Sequence, residues 1–289
     1  LTLQGTVLRL FYDFVSPGWK GSVAAGFVGG VVSLLSPRRK VALENLSMAF
    51  PDKDEAWRKR TLRLCYRHLA WSVVEYLCLV KAPEQVGNWF VSVDGEEILR
   101  KLRKSGKGAI LLTGHIGNWE LFAGWLADKG YPIHAIVRPP NDADVAAMLE
   151  GFRAKVGLNT FSKYNIMLGA AKLARKGAFM AILADQDGGN EGIQVPFMGE
   201  NCSTPGGPAA LSHLAGVPII PVVSYRIAPY KHEIHILPPL DDAPDIKNRS
   251  ERIKHITADA NRILEMMIRK HPEQWLWLHK RWKNRENAA

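Results

Sequence analysis

Gly108-Ala109-Ile110-Leu111-Leu112-Thr113-Gly114-His115-Ile116-Gly117-Asn118-Trp119-Glu120-Leu121 decides how this chain is read. The uncharged run 109–113 has the length of one strand and is bracketed by glycines, as a strand should be. It does not alternate apolar with polar, so both of its faces are expected to be covered, as in a parallel sheet flanked by helices. A histidine follows at once, at the carboxyl end where open α/β sheets present their ligands. Asn118 is a good N-cap, which puts Trp119 and Glu120 at the first two positions of a helix. On one helix, residues five apart diverge by about 140°. With His115 in the preceding loop, the chain can instead fold it against Glu120. Glu120 then sits at the positive end of the helix dipole, which favours its ionised form. A carboxylate beside an imidazole fixes the tautomer and strengthens the base. Read without chemistry, the same residues are a helix cap with an incidental histidine.

Working outward, short apolar runs at 133–138, 179–184 and 217–225 alternate with helical stretches near 119–129, 143–156, 165–177 and 205–215. That alternation predicts an α/β domain with a largely parallel, buried sheet. A strand at 232–237 and a long helix around 250–270 close it before a Trp-rich tail. Upstream, Trp57, Leu62, Cys65, Leu69, Val73, Tyr76 and Val80 recur at helical spacing, and Arg60, Arg63 and Arg67 form a basic stripe beside them. Residues 21–36 are uncharged, between Lys20 and Arg38-Arg39-Lys40. A helix of that length reaches about 24 Å, short of the roughly 30 Å hydrocarbon core. The segment reads as a monotopic anchor or a marginal span, with a buried core helix as the alternative. The chain therefore divides into a membrane-associating helical segment, 1–50, and a main domain, 51–289. It begins on leucine, which leaves room for a lost start or a removed leader.

Composition narrows the function classes. The 289 residues carry 38 Lys+Arg against 28 Asp+Glu, a net charge of +10, which points toward anionic partners. At 47% hydrophobic and 23% charged, the chain is neither disordered nor collagenous. Three cysteines without C-x-x-C spacing exclude a disulfide framework and a zinc ribbon. Gly106-Lys107 is followed by Gly108, so there is no P-loop; G-x-G-x-x-G after a strand and G-x-S-x-G are missing too. His232 and His235 on a strand face opposite ways, which makes them poor co-ligands. Residues 185–190 open like a calcium loop but lack the sixth-position glycine, and Pro196 stands where a glutamate is needed. No nucleic-acid module is recognisable, so no nucleic acid is expected as a partner. Two rival readings stay open. Asp185-x-Asp187 has the D-x-D spacing of a metal-dependent lipid glycosyltransferase, and a basic, non-enzymatic membrane-binding protein would have the same charge.

Further residues add a pattern: Arg39, Asn45-Leu46 with Phe50-Pro51, Val93-Asp94-Gly95, Gly106-Lys107-Gly108 and Val137-Arg138-Pro139. Asp185-Gln186, Val195-Pro196-Phe197-Met198-Gly199, Thr204-Pro205-Gly206-Gly207-Pro208, Gly216-Val217-Pro218 and the tail 275–283 follow. With His115-x4-Glu120, this series resembles the H-x4-[DE] glycerolipid acyltransferases over residues 38–283. Within them it is most similar to the bacterial late lipid A biosynthesis acyltransferases and their mycolic-actinobacterial mannolipid relatives. The resemblance implies a single glycerolipid-acyltransferase-like domain, a mostly parallel sheet flanked by helices, after a hydrophobic or amphipathic N-terminal segment. It implies transfer of a fatty acyl chain from a carrier thioester, on acyl carrier protein or CoA, to a hydroxyl of a membrane glycolipid such as a lipid A precursor. The expected place is the cytoplasmic face of the bacterial inner membrane, peripheral, monotopic or single-pass, with no metal and no cofactor beyond the thioester. His115 is the expected base and Glu120 its partner. Arg138, Asp185, Gln186, Asn118 and Thr204, the last as a helix N-cap near an anion, are the expected substrate or oxyanion contacts. Arg60, Arg63 and Arg67 suit an acidic carrier. Trp275, Trp277 and Trp282 suit either lipid headgroups or the core.

Overall fold

The computed structural model describes residues 2–137, 140–162 and 167–284. The chain runs through α1 (Leu3–Phe14), α2 (Trp19–Leu35), α3 (Arg39–Ala49), α4 (Glu55–Lys81) and α5 (Val86–Trp89) before the first strand. Then come β1 (Phe90–Asp94), α6 (Glu96–Lys104), β2 (Ala109–Thr113), α7 (Trp119–Asp128), β3 (Ile133–Val137), α8 (Ala143–Lys155) and β4 (Asn159–Ser162). The remainder is α9 (Met167–Arg175), β5 (Phe179–Leu183), β6 (Ile193–Phe197), β7 (Glu200–Thr204), α10 (Gly207–Ala215), β8 (Ile219–Ala228), β9 (Lys231–Ile236) and α11 (Arg249–Lys270).

Seven strands form one sheet in the order β1-β9-β8-β2-β5-β3-β4, and β6 and β7 form a separate hairpin. From β8 to β4 all neighbours are parallel; β9 turns back on β8, and β1 follows β9. β2 lies between β8 and β5 with all five residues buried, which is why its sequence carries no alternation. The period of two survives in which core each side chain enters. Ile110 and Leu112 join α3, α9, α10, α11 and the tail tryptophans, whereas Ala109 and Leu111 join α6, α7 and α8. Helix α4 serves both cores, through Leu62, Cys65 and Tyr66 near its start and Val74, Leu77 and Leu79 near its end. Trp275, Trp277 and Trp282 are all buried in the first core, so of their two sequence readings the core one is correct.

The N-terminal helices keep an uncovered apolar surface. In α2 the small residues Gly21, Ala24, Ala25 and Gly29 face inward, and the helix packs on α4. Its large side chains point out, with Phe27 72% and Leu34 85% exposed. In α1, Leu3, Val7, Leu10 and Phe14 form an exposed stripe at helical spacing, which gives residues to the amphipathic N-terminal segment expected from the sequence. Among the described residues no single helix is long and apolar enough to cross a membrane. Only α2 with α3, bent by 88° at their junction, meets that test as a pair.

Candidate active site

Strand register builds the site. In the β2–β5 ladder Ala109 faces Phe179 and Thr113 faces Leu183. The pairing runs one step past the strands, because the Ala184 amide donates to the Thr113 carbonyl at 3.0 Å. The next step brings His115 beside Asp185. Gly114 makes the approach possible, since a Cβ there would lie 2.9 Å from the Asp185 Cγ. The His115 amide donates to Asp185 Oδ2 at 2.7 Å, Nδ1 of the ring lies 2.9 Å from Oδ1, and Trp275 Nε1 donates to Oδ2 at 2.7 Å. Asp185 is 1% exposed, while His115 is partly open. Burial alone would raise the Asp185 pKa, but His115 and the N–H donors outweigh it and hold the carboxyl below its ordinary range. With the proton on Nδ1 facing this carboxylate, Nε2 carries the ring's lone pair, within reach of the Gln186 amide. Trp119 meets the imidazole edge-on at 4.9 Å between ring centres, and Gln186 Nε2 lies 3.4 Å from Nε2.

His115 stands on the wall of a cleft of about 640 Å³. Phe122, Ala123, Leu126, Ile133, Leu158 and Ala181 give the cleft an apolar lining. Glu120, Arg153, Gln186, Asp187 and His279 add polar groups to the same wall. Glu120 shares the cleft with His115 but is not its hydrogen-bond partner. Its carboxylate pairs with Arg153, whose Nη2 donates to Oε1 at 2.7 Å. The contact expected of Glu120 is made by Asp185, because a helix turn carries Glu120 away from the loop while register brings Asp185 alongside. Arg153, from the end of α8, has no local sequence signal that would have marked it.

The other expected site residues fall in different places. Asn118 does cap α7, accepting from the Leu121 amide, but it is buried, and its Nδ2 donates to Glu75 at 3.0 Å. It faces the interior and not substrate. Thr204 is buried too: its Oγ1 accepts from Arg281 Nη2 and Asn261 Nδ2, and the N-cap of α10 is Gly206. The anion-binding cap expected at Thr204 is therefore not formed there. Arg138 lies outside the described residues. Arg60 and Arg63 line a small pocket with Arg39 and Lys59, and Arg63 and Arg67 line a groove beside α2, both apart from the cleft residues. A D-x-D metal site fits poorly. The Asp185 oxygens already accept from His115 and Trp275, and Asp187 Oδ2 accepts from Gly189 and Asn284.

Behind the loop lies a buried polar cluster. Glu75 of α4 is fully buried; it accepts from Arg226 Nη2 at 2.8 Å, Nε at 3.0 Å, the Tyr230 amide at 3.0 Å and His232 Nε2 at 3.1 Å, besides Asn118. His68 Nε2 donates to the Gly117 carbonyl at 3.0 Å, which leaves its Nδ1 to accept from Arg226. Burial, and then Arg226, push the His68 pKa well below its ordinary value. Burial also lowers that of His232, against the pull of Glu75. Both rings are thus neutral in the folded protein and protonate in the unfolded chain below about pH 6.5, so the unfolded state binds more protons there. Stability is expected to be fully present above that pH and to fall progressively toward pH 5. Urea midpoints taken from pH 7.5 to 5 check this, and a flat series would contradict neutral, buried rings.

A family model described as bacterial lipid A biosynthesis acyltransferase matches residues 20–284. The chain is 28% identical over 260 residues to the lipid A biosynthesis palmitoleoyltransferase of Escherichia coli strain K12, covering 87% of this chain and 80% of that protein. It is 25% identical over 263 residues to the lipid A biosynthesis lauroyltransferase of the same strain, covering 87% and 81%. A phosphatidylinositol mannoside acyltransferase of Mycolicibacterium smegmatis is 24% identical over 125 residues, 41% of this chain and 40% of that protein.

Proposed function

Because the chain belongs to the bacterial lipid A biosynthesis acyltransferase family, and is thereby an acyltransferase acting on a lipid A-like glycolipid, we propose how its cleft carries out the transfer. The observation that carries the reading is the His115–Asp185 pair on the wall of a cleft lined by both apolar and polar side chains. The acyl chain of a thioester, on acyl carrier protein or CoA, lies against the apolar lining. The acceptor hydroxyl approaches past the polar groups. Nε2 of His115 takes the hydroxyl proton as the oxygen attacks the thioester carbonyl. Asp185 holds the ring in the Nδ1–H tautomer and stabilises the imidazolium. The tetrahedral oxyanion needs a donor; Gln186 is the neutral amide nearest the ring, and Arg138 keeps its candidacy by sequence alone. When the intermediate collapses, the C–S bond breaks and the thiolate takes the proton back from His115, so no covalent enzyme intermediate is required. Glu120, neutralised by Arg153, belongs to the wall facing the acceptor. The exposed apolar faces of α1 and α2 rest on the cytoplasmic leaflet of the inner membrane, so that lipid reaches the cleft without crossing water.

Mass spectrometry of glycolipids incubated with purified protein and acyl donors tests the reading. A mass gain of one acyl chain is expected, and glycosyl transfer with magnesium or manganese would replace it by the D-x-D reading. Chain length supplies a sharper check. Each buried methylene is worth about 0.8 kcal/mol, so losing two methylenes of depth costs about 1.6 kcal/mol, roughly 15-fold in selectivity. Ala123→Leu narrows the cleft at its apolar lining and is expected to shift preference toward shorter donors by about that factor. Competition between donors of graded length measures it, and an unchanged preference would place the chain elsewhere.

A further inference from the structure

We propose that the buried Glu75–Arg226 pair and His68 are positioning residues for the catalytic loop, setting the direction of His115 from the side opposite the cleft; this rests on the reading of His115 as the base. The backbone of the loop is held by its neighbours. The His115 carbonyl accepts from the Leu276 amide at 3.1 Å, the Gly117 amide donates to the Gln274 carbonyl at 2.9 Å, and the Asn118 amide donates to the Ser224 carbonyl at 3.1 Å. Gly117 itself adopts φ +62°, and a Cβ there would lie 1.7 Å from the Ser224 carbonyl oxygen. The polar cluster adds contacts that backbone ladders cannot supply. Asn118 is tied to Glu75 through its side chain, and the Gly117 carbonyl to His68. Arg226 joins these two points, bonding Glu75 on one side and His68 on the other. It also reaches the tail, because its amide donates to Gln274 Oε1 and its carbonyl accepts from Gln274 Nε2. Three long-separated pieces of chain, α4, the end of β8 and residue 274, thus meet directly behind the loop.

Stability alone does not account for such a cluster. A buried ion pair is weak evidence of stabilisation, since desolvating both charges offsets most of their attraction and apolar residues of similar size often serve as well. What apolar residues cannot do is hold an amide and a carbonyl at fixed points. A side-chain network with its partners satisfied is rigid for that reason. The two groups it holds, the Gly117 carbonyl and the Asn118 side-chain amide, belong to residues two and three beyond His115. A slip there rotates the imidazole relative to Asp185 and to substrate, while the apolar lining from Phe122, Leu126, Ile133 and Leu158 lies further along the chain than the two held points.

Two variant sets test the proposal on the intact chain. Glu75→Leu combined with Arg226→Met removes both charges together. It leaves the Tyr230 amide, His232 and Asn118 without their acceptor, so a lowered melting temperature is expected. Assayed well below that melt, the variant is expected to lose about 10- to 100-fold in kcat, with the donor KM within twofold. Full kcat in a stable double variant would make the pair structural only and overturn the proposal. His68→Leu removes only the tie to Gly117 and guards against failure of the double variant to fold. It is expected to lose about tenfold in kcat at unchanged KM, with most of the loss restored in His68→Gln, whose amide can still donate. Equal kcat in the two His68 variants overturns the proposal. The ring-proton signal of His115 in 15N-histidine-labelled protein gives a readout independent of turnover. It should shift in His68→Leu and return in His68→Gln. A wild-type protein that transfers no acyl chain, yet shows this shift and its return, would refute the catalytic reading while leaving the positioning geometry standing.

Discussion

His115→Ala is expected to lower acyl-transfer turnover by about 10²- to 10⁴-fold, the usual contribution of a positioned general base that also returns the proton. The ring has one polar partner network, through Asp185 and Gln186, and otherwise borders the open cleft, so its removal deprives the core of little. Far-ultraviolet circular dichroism and the melting temperature should therefore stay near wild type. Donor binding should survive, because the apolar lining of the cleft is built by α7, β3 and β5 and not by the imidazole. A His115→Ala protein that turns over within tenfold of wild type, at equal purity, would end the base mechanism regardless of family.

The second large effect separates two carboxylates. Asp185→Asn keeps the size of the side chain but turns a doubly accepting group into one with an N–H donor. Three N–H groups now point at Asp185: the His115 amide, the His115 ring and Trp275. An asparagine oxygen can serve the His115 amide and Trp275. Its NH2 then faces Nδ1, which forces the proton to Nε2 and blocks the base. Turnover is expected to fall on the order of 10²-fold or more, and the double variant with His115→Ala should be little worse than either single change, because the two act as a unit. Glu120→Gln breaks the Arg153 ion pair but leaves the imidazole with its partner, so a loss of about tenfold or less is expected. A partly exposed pair of this kind contributes modestly. The reverse ranking, with Glu120→Gln the more damaging, would return the partner role to Glu120.

The strands at the centre were legible because burial on both faces leaves an uninterrupted apolar run. Residues 109–113 and 179–184 agree with β2 and β5 to within one residue. β1 and β4 were not read from the sequence. Both are short and lie at the two edges of the sheet, where one side needs no apolar neighbour. The β6–β7 hairpin escaped notice because Pro196, Glu200 and Asn201 break any simple pattern. The exposed stripe on α1 was masked in the sequence by the charged Arg9 and Asp13 between its members. His115, the proposed base, was visible from its place after a strand. Its partner was not, since local spacing favours a residue five positions away. The true neighbour lies 70 positions on and is fixed only once β2 and β5 are known to pair in register.

The arrangement of the tail has a consequence for how the enzyme comes into being. Trp275 holds Asp185, the Gln274 carbonyl and the Leu276 amide clasp the loop on either side of Ile116, and Arg281 braces Ser203 and Thr204 from within the core. Every one of these contacts is supplied by residues that follow all nine described strands in the sequence. A nascent chain can therefore have its sheet assembled, its apolar cleft open and its first helices folded while His115 still lacks a fixed neighbour. The loop and Asp185 gain these contacts only when residues 274–281 dock, and a translation product that stops before them has the cleft without the clasp around His115.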